Sequence, residues 1–205
     1  MHIFRLRVNE HLHKNWWLYL LVTVCFFTGI AFGLLGAKSL KPEQFSALAE
    51  FVEEGLTGYA ADTDFSDSTR QALCKNLFNL VKISMLGLTV IGLPLILAIV
   101  FTRGFVLGFT VTFLIRQKAW QGGLMALLSI LPPNILSVPA YFLAAVLAIN
   151  FSLYLIKGGS QRNKTLHQYF IMYLSATAGL GLIMVAAALI EGYFSSLFIK
   201  YLYGG

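Results

Sequence analysis

The sequence predicts an all-α integral membrane protein with five net transmembrane crossings, a broken or re-entrant third segment and a small helical extracytoplasmic segment. Three observations lead there. Residues 16–37, 83–101, 135–156 and 169–198 are apolar runs that reach the ~20 residues a helix needs to cross a hydrocarbon core. The chain is 58% hydrophobic and only 12% charged, which excludes disorder and leaves no room for a separate soluble catalytic domain. Its bases flank apolar runs while its acids gather in one loop, the asymmetry that orients membrane proteins.

The tail, residues 1–15, has Arg5, Arg7 and Lys14 against Glu10, so positive-inside bias holds it in the cytoplasm. The first span, 16–37, is too long for the apolar core of a signal peptide. Leu35 would occupy the −3 position of a cut after Ala37, where a small residue is needed, so the span reads as an uncleaved anchor. Gly29, Gly33 and Gly36 have the spacing of close helix packing, which points to assembly and allows a homodimer.

Residues 38–79 follow as an exported acidic segment. Lys38, Lys41, Arg70 and Lys75 stand against Glu43, Glu50, Glu53, Glu54, Asp62, Asp64 and Asp67, so four minus seven gives −3. Pro42 suits the first turn of a helix. Phe45, Leu48 and Val52 recur at i, i+3 and i+7, and Gly55 can close the helix after about three turns. That apolar face lies on the bilayer or on neighbouring spans, or it docks a partner protein. Ser66 or Asp67 then caps a helix through Leu73, Leu77 and Phe78 that leads into the second span. A calcium loop at Asp62 fails, because Asp67 and Leu73 replace the glycine and glutamate it requires.

The second span, 80–101, returns the chain to the cytoplasm at Arg103. The segment 104–131 is interrupted, since 105–115 would be only ~16 Å of helix before Arg116, Gln117 and Lys118. It is either re-entrant or one long helix broken near the midplane. The re-entrant path avoids a charge at the bilayer centre and is favoured for that reason. Pro132, Pro133, Asn134 and Pro139 mark a turn into the fourth span, 135–156, with Asn134 as its cap. Lys157, Arg162 and Lys164 make 157–168 a cytoplasmic basic loop. The fifth span, 169–198, leaves a short outer tail, 199–205.

Catalytic, cofactor and metal sites are not expected. The spans contain no aspartate, and neither a His-Glu-x-x-His nor a Gly-x-Ser-x-Gly motif occurs. Cys25 and Cys74 form no Cys-x-x-Cys pair. The net charge of +6 forms no basic stripe with interleaved aromatics, so nucleic acid is excluded as a partner. Glu191 is the one acid in an apolar run. Near the outer interface it stays hydrated or pairs with Lys200, or else it contacts a partner or another span. The interrupted third segment keeps a small transporter or channel subunit as the alternative reading.

Four short motifs stand in order along the chain: Ile91-Gly92-Leu93-Pro94, Arg103 to Thr110, Leu131 to Tyr141, and Glu191-Gly192-Tyr193. With the length, the acidic loop and the span pattern, they closely resemble the stage II sporulation protein M family. More distant members of the wider family read Pro-His-Gly and a following Glu at the proline turn, where Pro133, Asn134 and Ser137 stand here. The resemblance implies a non-enzymatic scaffold that anchors peptidoglycan hydrolases at the sporulation septum for septal thinning and forespore engulfment. It also implies partners: stage II sporulation protein P, an amidase and endopeptidase, and through the complex protein D, a lytic transglycosylase. The surface expected to meet them comprises Phe45, Leu48, Val52, Pro132, Asn134, Pro139 and Glu191.

Overall fold

A computed structural model describes residues 16–62, 65–156 and 166–203, with side chains outside 55–68, 118–133 and 194–203. The described residues form five α-helices: α1 (Trp16–Lys38), α2 (Pro42–Asp62), α3 (Phe65–Gly87), α4 (Gly92–Ile156) and α5 (Leu166–Tyr203). Among the described residues, four stretches are long and apolar enough to cross a membrane: Trp16–Lys38, Gly92–Gln117, Asn134–Ile156 and Leu166–Tyr193. The chain is thus an all-helical, multi-pass membrane protein.

Helix α4 doubles back on itself. Arg103 bonds to Tyr141 across 38 residues, a separation of about 57 Å along a straight helix. Ser152 likewise donates to the Thr89 carbonyl at 2.8 Å. The first limb, through Gln117, therefore packs antiparallel to the second, from Asn134.

The other helices follow the same axis. Cys25 reaches the Leu97 carbonyl, and Arg116 reaches the carbonyls of Ala37 and Lys38, so α1 runs parallel to the first limb. Asn76 meets Tyr141 and Gly87 lies on Ala148, so α3 runs with the second limb. Tyr173 donates to the Ser84 carbonyl at 2.9 Å while Asn76 contacts Glu191, so α5 opposes α3. Val22, Phe26, Ile83, Ile96, Val146, Ile149 and Met184 bury a common apolar core where these segments meet.

Glycines set the seam between α1 and the first limb. A Cβ on Gly29 would stand 2.3 Å from the Phe101 carbonyl oxygen, and one on Gly33 2.2 Å from that of Phe105. From the other side, a Cβ on Gly104 or Gly108 would stand 2.2 or 2.3 Å from the carbonyl oxygen of Phe26 or Ile30. Two small-xxx-small faces thus interlock, letting backbones touch where dispersion contacts are densest. The stripe that allows a homodimer in the sequence is occupied within the chain.

The structure moves one expected boundary. The chain turns at 88–91, inside the expected 80–101 span, and α4 then runs unbroken past Arg103. Leu88 and Thr89 donate to the carbonyls of Met85 and Leu86. At Gly92 a Cβ would fall 1.8 Å from the Leu86 oxygen, so the turn needs glycine; Pro94 suits the helix's first turn. Of the segment 104–131, expected to be re-entrant or broken, residues 105–115 are continuous helix packed along α1. Arg116 therefore ends beside Lys38, where its charge faces the carbonyl end of α1, a favourable placement for a cation. Asn134, Ser137 and Pro139 lie within the helix.

Candidate functional site

Helix α3 is the polar member of the bundle, and its buried face carries the site. Ala72, Asn76, Leu80 and Ile83 are all buried, at spacings of three and four that select one side of a helix. Asn76 is only 1% exposed, so its amide must find partners inside the protein.

It finds them on two helices. Its Nδ2 donates to Glu191 Oε2 on α5 at 3.4 Å. Its Oδ1 accepts from the Tyr141 hydroxyl on the second limb at 3.3 Å. That hydroxyl in turn accepts from Arg103 Nη2 on the first limb at 2.5 Å, and the guanidinium lies 4.2 Å from the Tyr141 ring centroid. Lys75, 60% exposed, approaches Glu191 Oε1 at 3.6 Å. Beside this contact Gly192 brings α5 close to α3, since a Cβ there would meet Thr69 Oγ1 at 2.1 Å.

The chain of bonds has one polarity. Arg103 can only donate, and an ionised Glu191 can only accept. Tyrosine and asparagine between them each accept on one side and donate on the other, so every hydrogen points toward the carboxylate. Aligned bonds of this kind reinforce one another in a low-dielectric interior. The arrangement links four helical segments and carries charge into the bundle. Arg103 lies eleven residues past Gly92, about 16 Å along the helix, deep within the apolar stretch Gly92–Gln117.

A second cluster sits where α1 ends. The Phe45 ring on α2 packs on Phe113 at 5.1 Å between centroids, and the Arg116 guanidinium covers it at 4.7 Å. Arg116 thus clamps α2 to the bundle while reaching the end of α1.

The sequence-derived surface residues divide between these places. Phe45, Leu48 and Val52 are half-buried, with Phe45 already engaged inside the chain. Glu191 pairs with Lys75 and Asn76 of α3. Asn134 is half-buried and Pro139 exposed on the second limb, while the Pro132 side chain lies outside the described residues. Sequence reasoning missed Arg103, Asn76 and Tyr141. Arg103 and Tyr141 belong to the motifs that carried the family resemblance, as does Glu191, and that coincidence was the available signal. Among the described residues no three His, Cys, Asp or Glu gather as a metal site.

The family model described as stage II sporulation protein M matches residues 22–196. The chain belongs to that family. The match takes in the glycine seam, the polar chain and all four motifs. It makes this a sporulation-related membrane protein. Neither the comparison with curated proteins nor that with solved structures gave a match.

Proposed function

We propose that this member of the stage II sporulation protein M family is a non-enzymatic scaffold. On this reading it anchors peptidoglycan hydrolases, stage II sporulation proteins P and D, at the septum during engulfment. The observation that carries the reading is helix α2. Clamped through Phe45 to Phe113 and Arg116, it presents exposed Glu43, Glu50, Glu53 and Glu54 around Phe51, which is 72% exposed. An exposed aromatic on a helix that also carries exposed acids suits protein docking.

Orientation follows from charge. The segments 1–15 and 157–165 leave the helices at one end and carry six bases against one acid, whereas 39–64 at the other end carries one base against six acids. Positive-inside bias puts the basic end in the cytoplasm and α2 outside. Helix α3, about 34 Å long and sheltered by α4 and α5, is then the fifth crossing, with the amino terminus inside and the carboxyl terminus outside.

The test is co-purification in detergent with protein P. Full-length chain should retain it, and Phe51→Asp should release it while membrane insertion persists. If the wild-type chain fails to retain protein P, the scaffold reading falls. Undiminished capture by Phe51→Asp moves the docking face off α2.

The intramembrane charges of the polar chain favour a second reading, a small transporter or channel subunit. Ion or solute flux in liposomes that disappears with Arg103→Gln would establish it. An amide at its centre makes the chain a poor proton relay, because Asn76 does not ionise.

A further inference from the structure

Helix α3 turns one side to its own bundle and leaves the other bare. Away from the buried stripe, Cys74, Lys75, Phe78, Val81, Lys82 and Met85 are exposed, Phe78 by 61% and Met85 by 63%. Most of that face suits lipid. Phe78, Val81 and Met85 are apolar. Lys82 lies five residues before Gly87, about 7.5 Å from the helix end, and its ammonium covers the Phe78 ring at 4.3 Å. A lysine so near an end can carry its charge out to the interface along its own stem.

Lys75 is placed differently. It stands ten residues after Phe65 and twelve before Gly87, about 15 and 18 Å from the two ends of α3 and beyond the reach of its stem. An ammonium has three donors. It approaches Glu191 Oε1 at 3.6 Å, while Glu191 Oε2 is taken by Asn76, and 60% of the lysine side chain stays exposed. The same level is short of negative charge. Arg103 is joined to it through Tyr141 and Asn76, so two cations share the one carboxylate of Glu191. Exposed donors at that depth are costly until another helix meets them.

We propose that this face of α3 is covered by the transmembrane helix of a partner protein bearing an Asp or Glu at mid-depth, whose carboxylate reaches Lys75 beside Glu191. Charge selects that occupant. A second copy of the chain offers Glu191 as its one acid within an apolar run, and that acid is engaged by Lys75 and Asn76. Lipid phosphates stay at the interface, about 15 Å away. Phe78, Val81 and Met85 supply the apolar surface against which a spanning helix packs. The inference rests on the five-crossing reading, which sets α3 in the bilayer, and not on which hydrolase docks at α2.

The test uses the full-length chain in phosphatidylcholine vesicles at mildly alkaline pH. Its probe is a leucine-alanine transmembrane peptide with one central Glu, its control the same peptide with Gln, and association is read by energy transfer between labels. The Glu peptide should bind about tenfold more tightly. Lys75→Gln, at an exposed position, should erase the difference, whereas Lys82→Gln should keep it. Glu191→Gln should widen it, because the peptide carboxylate then has no rival for Lys75. Equal affinity of the unaltered chain for both peptides overturns the proposal, and so does a Glu preference that survives Lys75→Gln. Loss of the preference on adding phosphatidylglycerol would make a lipid anion the occupant, and Lys75-dependent self-association would make it a second copy; either overturns the proposal. Cys74 reports separately on the reading beneath it. In a Cys25→Ser background without peptide, Cys74 should resist a water-soluble maleimide. Rapid labelling would take α3 out of the bilayer and end both the five-crossing reading and this inference. Protection without a Glu preference sinks the inference alone.

Discussion

The glycine seam and the polar chain join the same five-segment bundle by opposite means. At the seam, α1 and the first limb of α4 touch through backbone, with Gly29, Gly33, Gly104 and Gly108 each facing a carbonyl oxygen. On the far side, α3, the second limb and α5 are joined by Tyr141, Asn76 and Glu191 through hydrogen bonds of 3.3 to 3.4 Å. Lipid tails offer no hydrophobic drive for helix association, so contact density and polar bonds must supply it. The seam depends on volume and tolerates almost no added atom. The chain depends on polarity and tolerates small shifts, but not loss of a member.

Substitutions can break or sharpen this contrast. The largest effect should come from Gly33→Ile, whose Cβ alone would overlap backbone atoms of Phe105 and Phe109. A destabilisation of about 3 kcal/mol is expected, the upper range for overpacking, read as earlier unfolding in mixed micelles. Tolerance of isoleucine there would mean the seam is not rigid. Next is Asn76→Leu, which fills the same space but removes the side-chain amide that joins the Tyr141 hydroxyl to Glu191. About 2 kcal/mol should be lost, and Glu191→Gln added to it should cost less than it does alone. Strict additivity would show that the bonds do not act as a chain.

A smaller effect attends Arg116→Gln, which removes the cation over Phe45 and the charge at the end of α1. Below about 1 kcal/mol is expected, with faster proteolysis near Lys41 as the sensitive readout. Unchanged cleavage would mean Phe45 and Phe113 suffice. At the bottom of the scale is Gly179→Ala. Nothing lies within 4 Å of the added Cβ, so stability should stay level or rise by less than about 1 kcal/mol. A loss there would reveal a contact outside the chain.

Much of the fold was legible because length and apolarity mark a span without regard to its neighbours. The runs around Val22, Val146 and Met184 needed nothing more. The turn at 88–91 was hidden because Leu88, Val90 and Ile91 are as apolar as the helices beside them; Gly92 and Pro94 were the better guides. Arg103 read as the end of a span because charge usually sits at an interface. Only Tyr141, distant in sequence, makes its interior position tenable. Helix α3 read in part as an exported loop for the same reason, since Lys75, Asn76 and Lys82 conceal the buried stripe of Ala72, Leu80 and Ile83. Of the surface residues, Phe45 packs on Phe113 of its own chain; whether an apolar face meets its own chain or another is a tertiary fact.

The order in which these helices are made bears on biogenesis. Helix α3 emerges from the ribosome before both elements that shelter it, the second limb of α4 and α5. On the five-crossing reading proposed above it is too polar to settle in lipid alone, and it gains its partners only when Tyr141 and Glu191 arrive. A nascent chain halted after Ile156 should therefore leave Asn76 open to water, and only completion of the carboxyl-terminal helix should seal it.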